Sequence, residues 1–458
     1  MRSAEEALIA AGTSVDELMQ RAGRGASDYI WRVAAHRRVT VLCGPGNNGG
    51  DGYVIAEAIR TRGGRVTVIA AAEPKTGAAC AARALYQGDV VGADAVPQGP
   101  DIHGDVLVDC LFGSGLTRPL SEAHAALLDR LARSHRHAIA VDVPSGVDSD
   151  SGALLNPGLP AFDLTIALGA WKFAHFLMPA CAAMGDLRLV DIGIGPVPGA
   201  ATLIAPPRLT APAADAHKYR RGLLAVVGGE MPGAALLACT AAQGGGAGYV
   251  KLLAQIPPAG PADLVIDSAP LAEALGDRRI AAMLAGPGLG RHAASLELLV
   301  TALAANAPAV LDADALMLLA PRFLAEREAP LIATPHDGEL AALERAFGLA
   351  GTGGKPARAA ALARASGMVV VAKGPDTVIA APDDRIACAA RASSWLSTAG
   401  TGDVLAGAIA SRLAAGTEPF VAACEGVWLH GESARLCPPP FTASQLAGTI
   451  SSAFAACQ

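Results

Sequence analysis

Two Gly-rich segments, one in each half of the 458-residue chain, combine residue types that can bind phosphate groups. The first follows an apolar run, Val39–Cys43, and reads Gly-Pro-Gly-Asn-Asn-Gly-Gly-Asp-Gly over residues 44–52. The second reads Gly-Thr-Gly-Asp over residues 400–403 and opens an apolar helical pattern. Where such a segment begins a helix, backbone N–H groups and the helix dipole favour a bound anion. The sequence therefore predicts two sites for phosphate-bearing ligands.

Oxygen-bearing side chains lie at or just beyond the ends of three predicted strands of the first half. Asn48 lies in the Gly-rich segment, Asp109 precedes a Gly-rich turn, and Asp142 begins an Asp-Val-Pro-Ser-Gly segment that contains Ser145. Open α/β sheets bind ligands at the carboxyl ends of their strands, so we expect these residues at one rim. The set lacks Cys and His, which suits an alkali or alkaline-earth cation rather than zinc. Taken singly, each Asp could instead be a helix cap or a turn former.

Two charged residues are candidates for proton transfer. Lys172 follows a further predicted strand and could contact a phosphate or transfer a proton. Alternatively, it could extend its ammonium group from an apolar patch to water. Asp403 falls in the first turn of a predicted helix, where a plain cap is the alternative. The preceding Gly-Thr-Gly offers amides to a developing negative charge, which favours an anion hole combined with a base.

Other predicted strand ends in the second half also carry polar or Gly-rich loops. The segment Lys373–Thr377 lies between two predicted strands and could hold a nucleotide, with a plain hairpin turn as the alternative. His336 lies in a Thr-Pro-His-Asp-Gly-Glu segment, in which Thr334 or Asp337 could cap a helix. Residues 286–290 and 312–314 form two more such turns. We expect all of these loops on one rim of one sheet.

Short β-rich runs alternate with helical periodicity along both halves, which predicts two α/β domains with largely parallel sheets. A helix is predicted over Tyr53 to Arg62. Five prolines between Gly193 and Ala216 predict an extended linker, which places the domains at residues 1–200 and 215–458 and the linker at 201–214. The predicted strands span 39–43, 65–70, 106–110, 138–143, 164–168, 187–192, 223–227, 249–253, 281–285, 309–311, 331–333, 368–372 and 377–380.

Composition restricts the classes of partner. A net charge of −6 without a basic block argues against nucleic acid binding. The nine cysteines form no pair or Cys/His cluster at zinc spacing, so we expect reduced thiols. No apolar run reaches the ~20 residues of a membrane span, and no signal-peptide pattern is present. We predict a cytoplasmic homo-oligomer that acts on small metabolites and binds no membrane.

Over residues 1 to about 195, the order of five motifs resembles the NAD(P)H-hydrate epimerase family. The motifs are Leu18–Gly23, the segment 44–52, Asp109 with Gly113-Ser114-Gly115, the segment 142–146, and Lys172. The resemblance implies a Rossmann-like three-layer domain that binds hydrated NADH or NADPH, with K⁺ held by Asn48, Asp109 and Ser145. The implied substrate contacts are Asn47, Asn48, Gly49, Gly50, Asp51, Gly113, Ser114, Gly115, Leu116, Thr117, Arg118, Pro119 and Asp142.

The implied chemistry inverts a carbon that bears a hydroxyl group next to the ring nitrogen. The hydroxyl group must leave and return, so one group must give and take a proton. Asp142 is the first candidate for this role and Lys172 the second.

From about residue 215 to the end, the chain resembles the ribokinase-like superfamily and, more closely, its ADP-dependent NAD(P)H-hydrate dehydratase branch. The matching segments are 217–218, 227–229, 233–234, 286–290, 312–314, 334–339, 373–374 and 400–403. The implied nucleotide contacts are Lys373, Gly374, Pro375, Asp376, Thr377 and Gly402. The implied contacts with the hydrate are Ala234, Gly290, His336 and Asp403.

The resemblance implies a diverted kinase reaction in the second domain. Asp403 takes the proton of the hydrate hydroxyl, the terminal phosphoryl group of ADP is transferred with Mg²⁺ neutralising charge, and phosphate then leaves. The products are NAD(P)H, AMP and phosphate. The chain departs from the family pattern at Tyr219, Arg435 and Gln445.

The two resemblances together predict a bifunctional enzyme that epimerises and dehydrates NADHX and NADPHX, the hydrates of NADH and NADPH. One alternative is that the second domain is a kinase of a small vitamin-precursor alcohol, which would share Gly402 and Asp403. The other alternative is that the first domain is a silent binding module.

Overall fold

The computed structural model describes residues 2–96 and 104–458, and the chain divides into two units at Pro198 and Gly199. Within these described ranges, no helix is long and apolar enough to cross a membrane. All nine cysteines are free thiols, and Cys80 alone among them is exposed.

The first unit is a seven-stranded parallel sheet with the order β3-β2-β1-β4-β5-β6-β7. Its strands are β1 Val39–Cys43, β2 Val66–Ala70, β3 Val90–Gly92, β4 Gly104–Cys110, β5 His135–Val141, β6 Leu164–Leu168 and β7 Asp186–Val190. Its helices are α1 Arg2–Ala10, α2 Val15–Ala34, α3 Asn47–Thr61, α4 Gly77–Leu85 and α5 Glu122–Ser134. The strand order reverses between β1 and β4, and open α/β sheets bind ligands at such a point.

Helices cover both faces of this sheet, as a parallel sheet requires. All five residues of β1 are buried: Val41 packs in the cluster that includes α2 and α3, and Leu42 packs with Leu128 of α5 on the other face. The unit is therefore a three-layer α/β structure.

Helix α3 begins at Asn47, so the prediction that it starts at Tyr53 is wrong. Only Gly44-Pro45-Gly46 form the loop after β1. The glycines that indicate a longer loop instead allow the helix to lie close to the sheet. A Cβ at Gly49 would overlap the carbonyl oxygen of Gly44, and one at Gly52 would lie 2.7 Å from the Cys43 sulfur. Tertiary packing thus overrides the low helix propensity of Gly.

The second unit contains a ten-stranded sheet with the order β11-β10-β9-β12-β13-β14-β15-β16-β17-β8. Its strands are β8 Thr202–Leu203, β9 Leu223–Val227, β10 Tyr249–Leu253, β11 Val265–Asp267, β12 Ile280–Ala285, β13 Ala309–Leu311, β14 Leu331–Ala333, β15 Val369–Ala372, β16 Val378–Ala380 and β17 Ile386–Cys388. Neighbouring strands pair in parallel from β11, through β10, β9, β12, β13 and β14, to β15. Strand β16 pairs antiparallel with both β15 and β17. Strand β8 lies inside the segment that the sequence predicts as a linker.

The helices of the second unit are α6 Pro232–Gly244, α7 Leu271–Ala274, α8 Ala293–Ala304, α9 Asp314–Leu318, α10 Asp337–Ala346, α11 Lys355–Ser366, α12 Thr401–Ala414, α13 Pro419–Leu436 and α14 Ala443–Ala455. The predicted α/β class of both domains is confirmed.

Candidate active sites

The first candidate site lies at the carboxyl ends of β1, β4, β5 and β6, which are neighbours in the sheet. Asn48 is in the first turn of α3, Asp109 is the penultimate residue of β4, Asp142 directly follows β5, and Lys172 lies beyond β6. The predicted residues of three strand ends, together with Lys172, are therefore at one rim.

Asp142 and Lys172 form a buried ion pair. The other carboxylate oxygen of Asp142 accepts the Ser114 N–H at 2.9 Å, and Lys172 Nζ also donates to the carbonyl of Leu168 at 2.7 Å. Burial alone would raise the pKa of Asp142, but the charge of Lys172 and these hydrogen bonds outweigh it and lower the pKa from its ordinary value. Asp142 is thus ionised at neutral pH. The alternative in which Lys172 extends to water is wrong, because its side chain is only 6% exposed.

Asp109 is fully buried and bonded to Ser145. Its Oδ1 accepts from the Ser145 hydroxyl at 2.7 Å and from the Leu111 N–H at 3.0 Å, and its Oδ2 accepts the Ser145 N–H at 2.9 Å. Burial raises the pKa of Asp109 above 3.8. The bond to Leu111, two residues ahead, makes Asp109 a turn former as well as a neighbour of Ser145.

Both polar atoms of the Asn48 side chain are buried and have no hydrogen-bond partner among the described residues. Gly113 lies between this side chain and Asp142. A Cβ at position 113 would lie 2.9 Å from Asp142 Oδ2 and 3.2 Å from Asn48 Cγ. A buried amide without partners costs about 1–3 kcal/mol, which a bound ligand would remove. The amide oxygen, the Ser145 hydroxyl and the Asp109 carboxylate are all hard donors that fit an alkali cation.

Asp51, the first acidic residue of α3, is also buried. Burial, followed by the charges of Asp142 and Glu5, raises its pKa well above 3.8. Its environment therefore favours the neutral acid, in contrast to Asp142.

The remaining predicted substrate contacts of the first unit are divided between the helix and a surface loop. Asn47 is exposed and accepts the Thr76 hydroxyl at 2.6 Å, whereas Gly49 and Gly50 are buried at the close approach of α3 to its neighbours. The loop after β4 holds Leu116, which is partly buried, and four exposed residues, for which no contact with Asp142 is described: Gly115, Thr117, Arg118 and Pro119.

The second candidate site lies at the carboxyl ends of β9, β12, β13, β14 and β15, which are five neighbouring parallel strands. Lys373, which follows β15, donates from Nζ to Asp312 Oδ1 at 2.5 Å and lies 3.9 Å from Glu339 Oε2. A Cβ at Gly402 would lie 3.7 Å from Lys373 Nζ. The start of α12 therefore meets the loops after β13, β14 and β15.

Asp403 lies in the first turn of α12, whose N-cap is Gly400, with φ of +90° and no side-chain capping bond. The interpretation of Asp403 as a plain cap is therefore wrong. Burial, followed by the charge of Asp312, raises the pKa of Asp403 to about 6, although Lys373 opposes this shift. A carboxylate with this pKa is a suitable general base near neutral pH.

The segment Lys373–Thr377 is the turn that joins β15 to antiparallel β16. Thr377 Oγ1 accepts the Gly374 N–H at 3.2 Å and donates to the Gly374 carbonyl at 2.9 Å. Asp376 is buried in an ion pair with Lys355, whose Nζ also lies 3.5 Å from the Lys373 carbonyl oxygen. The segment is thus a hairpin turn that Lys355 contacts on its buried side, while Gly374 and Pro375 are exposed. Sequence reasoning missed Lys355, because only the folded chain brings it to Asp376.

His336 is the N-cap of α10, so the prediction of a cap at Thr334 or Asp337 is wrong. Its Nδ1 accepts the N–H groups of Gly338 at 3.0 Å and Glu339 at 3.2 Å. The Thr334 hydroxyl instead donates to Asp312 at 2.6 Å. The His336 side chain remains 62% exposed, and its Nε2 lies 3.5 Å from Glu339 Oε1.

Ala234 and Gly290 lie on the loops after β9 and β12. Ala234 is in the first turn of α6, where a Cβ at Gly288 would come 3.1 Å from its methyl group. Gly290 has φ of +86° and donates its N–H to Asp314 at 3.0 Å. Both residues are therefore at the same rim as Asp403, and no described contact joins them to it.

Sequence reasoning also missed His175 in the first unit. This buried imidazole contacts both Asp142 and Lys172. Its only sequence signal is its position three residues after Lys172.

Two family models match the chain. The first, described as NAD(P)H-hydrate dehydratase, matches residues 224–455, and the second, described as YjeF-related protein N-terminus, matches residues 15–174.

Two named relatives match the chain across both units. The bifunctional NAD(P)H-hydrate repair enzyme of Moorella thermoacetica is 34% identical over 90% of this chain and 86% of its own length. The corresponding enzyme of Gloeobacter violaceus is 36% identical over 93% of this chain and 90% of its own length. Among solved structures, an ADP/ATP-dependent NAD(P)H-hydrate dehydratase from Bacillus subtilis, co-crystallised with ATP/Mg²⁺, is 27% identical with a TM-score of 0.46, over 55% of this chain and 95% of that chain.

Proposed function

This chain belongs to the family of bifunctional NAD(P)H-hydrate repair enzymes, and on this premise we propose that it repairs NADHX and NADPHX in two steps. The first domain interconverts the R and S hydrates. The second domain dehydrates the S hydrate with ADP and releases NAD(P)H, AMP and phosphate. The relatives match both domains, so a small-alcohol kinase joined to a silent binding domain is not favoured.

One observation carries this proposal: each of the two rims holds a carboxylate whose protonation suits its own step. Asp142 faces an ammonium group that lowers its pKa from the ordinary value, whereas burial raises the pKa of Asp403 to about 6. The first pair can exchange a proton with a hydroxyl group that leaves and returns. The second carboxylate can accept a proton from a hydroxyl group that becomes phosphorylated.

In the epimerase step, Asp142 is the first candidate for the group that moves the proton, and Lys172 is the second. The hydroxyl group of the hydrate leaves as water after it gains a proton, and water returns to the opposite face of the ring as a proton is taken from it. The buried ion pair supports both directions, because it places a donor and an acceptor side by side. Ser114 orients the carboxylate through its N–H group.

Asn48, Asp109 and Ser145 would hold K⁺ in the first domain, where its charge would stabilise a nearby phosphate group of the substrate. The unpartnered Asn48 amide supports this assignment. The residues Asn47 to Asp51 and Gly113 to Pro119 remain the proposed substrate contacts around it.

In the dehydratase step, Asp403 takes the proton of the hydrate hydroxyl. The hydroxyl oxygen of the hydrate then bonds to the terminal phosphorus of ADP, and AMP leaves. The C–O bond to the new phosphate group then breaks and its electron pair leaves with phosphate. The neighbouring ring carbon loses a proton to water, and the electrons of that C–H bond form the double bond that restores the reduced nicotinamide ring. Lys373 and the amides at Gly402 face the transferred group, and Ala234, Gly290 and His336 are the proposed contacts with the hydrate.

The adenine nucleotide would lie along Lys373 to Thr377, where Lys373 exchanges part of its contact with Asp312 for a phosphate oxygen. Mg²⁺ would neutralise the phosphate charge. Carboxylates such as Asp312, together with phosphate oxygens, form the hard donor set that this cation prefers.

The test is to incubate the purified protein with both hydrate epimers and ADP and to follow the absorbance of reduced nicotinamide. Recovery of both epimers is expected. Recovery of only one epimer's share would remove the epimerase assignment. Equal or better turnover with ATP would overturn the choice of ADP as phosphoryl donor.

A further inference from the structure

His175 lies in the short 3₁₀ turn that follows Lys172, and only 1% of the residue is exposed. The Lys172 N–H donates to Nδ1 of the imidazole at 2.9 Å, and Nε2 lies 2.8 Å from the carbonyl oxygen of Asp142. Nδ1 also lies 3.1 Å from the carbonyl oxygen of Lys172. An amide N–H can only donate and a carbonyl can only accept, so only the tautomer with the proton on Nε2 makes both of the shorter contacts hydrogen bonds. Nδ1 is therefore the acceptor and Nε2 carries the proton. One neutral ring therefore joins the backbones of the two residues proposed to move the proton.

The hydrogen bond from His175 supports an uncommon backbone conformation at Asp142. The Asp142 φ of +68° is in the left-handed region, which is uncommon for residues with a Cβ although Asp adopts it more readily than most. On one side the Asp142 N–H donates to the Ile166 carbonyl at 2.7 Å, and on the other the Asp142 carbonyl accepts from His175. Because both peptide groups are held, the carboxylate is directed at Lys172 and the Ser114 N–H.

The imidazole is itself held in a single state. Trp171 packs edge-on against it with ring centres 5.4 Å apart, and Phe176 packs at 6.3 Å. Burial lowers the pKa of His175, although its bond to Asp142 opposes the shift. The ring therefore stays neutral near pH 7 and keeps one donor and one acceptor.

We propose that His175 is a positioning residue that sets Asp142 and Lys172 together in the geometry for epimerisation. This inference rests on the proposed function of the first domain. His175 acts through the backbones of its two partners and does not touch the substrate, so its removal should slow the chemical step more than it weakens binding.

The kinetic test compares variants that remove both hydrogen bonds with one that can restore them. In His175→Phe and His175→Leu, kcat of epimerisation should fall about 10- to 100-fold, since small misplacements of reacting groups have effects of this size. The KM for the hydrate should stay within about threefold. His175→Gln, whose amide offers one donor and one acceptor, should recover most of the loss.

His135→Phe is the matched control. His135 is also a buried histidine of the first unit, but it lies at the amino end of β5, where it contacts the Leu131 carbonyl and the Thr40 hydroxyl. Its loss should leave kcat unchanged. Unchanged kcat in the two disruptive His175 variants, an effect on KM alone, or an equal loss in His135→Phe would each overturn the inference.

A second readout does not depend on turnover. The histidine ¹⁵N spectrum should show His175 as the neutral Nε2–H tautomer from about pH 6 to 8. A protonated ring or the Nδ1–H tautomer would contradict the proposed contacts. If the wild-type protein fails to epimerise while this signature is present, the proposed function of the domain fails and not the geometry of His175.

Discussion

At the residue scale, the surroundings of Asp142 and Asp403 shift two identical carboxyl groups in opposite directions. Lys172 outweighs burial and lowers the pKa of Asp142 from its ordinary value, whereas burial and Asp312 raise the pKa of Asp403 to about 6. A base acts only in its ionised form. The two reactions should therefore lose activity in different ranges of pH.

We predict that kcat/KM of dehydration rises about tenfold per pH unit below about pH 6 and levels off above it. Epimerisation should show no such fall down to about pH 5, because Asp142 remains ionised there. Both rates can be measured on the same preparation. A dehydration rate that is flat between about pH 5 and 7 would argue against Asp403 as the base.

The unpartnered Asn48 amide makes a second prediction at this scale. K⁺ should raise the melting temperature of the first domain relative to choline at equal ionic strength, because a ligand that binds only the native state stabilises it. In Asn48→Leu, which has a similar volume and no donor atoms, the stabilisation should disappear. Stabilisation by K⁺ that survives this substitution would show that Asn48 is not a ligand.

At the element scale, the hairpin turn between β15 and β16 depends on a lysine from α11. Lys355 is buried against Asp376 and lies near the Lys373 carbonyl, so it holds the turn on which the nucleotide is proposed to bind. Lys355→Met keeps most of the side-chain volume but removes the positive charge that pairs with the buried Asp376 carboxylate, and breaking a buried ion pair destabilises the turn.

We predict that Lys355→Met raises the KM for ADP about tenfold or more while the KM for the hydrate changes little. Arg364 lies on the same helix, α11, and forms an exposed ion pair with Asp384. Arg364→Met is therefore the control and should behave like the wild type. Steady-state kinetics with each substrate varied in turn separate the two constants. Equal changes in both would indicate general damage to the domain.

The strands show what the sequence can predict. Buried strands such as β1 and β6 are found at their predicted bounds, because each is a continuous apolar run. The two-residue strand β8 is too short to give a pattern. The start of α3 was missed because the close approach of its glycines to the sheet is a tertiary property.

The candidate sites follow the same division. Asp142, Lys172 and Asp403 could be selected from their residue types and positions at strand ends or helix starts. His175 and Lys355 could not, because they act through partners that only folding brings near. Gln445, a departure from the family pattern, has a local explanation: it completes a capping box with Thr442 at the start of α14, as an acid would.

At the scale of the whole molecule, the proposed repair of both epimers needs two sites that work separately in one chain. Each unit has its own sheet, its own core and its own rim of proposed catalytic residues. The cytoplasmic location and the homo-oligomer stay predictions. Separate sites mean that each activity can be removed alone.

The most direct test of this claim uses Asp142→Asn and Asp403→Asn with a mixture of both hydrate epimers and ADP. Loss of one proton-transfer group should lower the affected rate by ~10² to 10⁴. Asp142→Asn should recover only the S share as reduced nicotinamide, and Asp403→Asn should interconvert the epimers without recovering either. The two variants mixed together should restore full recovery. Near-normal dehydration by Asp403→Asn, or the loss of both reactions in either folded variant, would contradict the account.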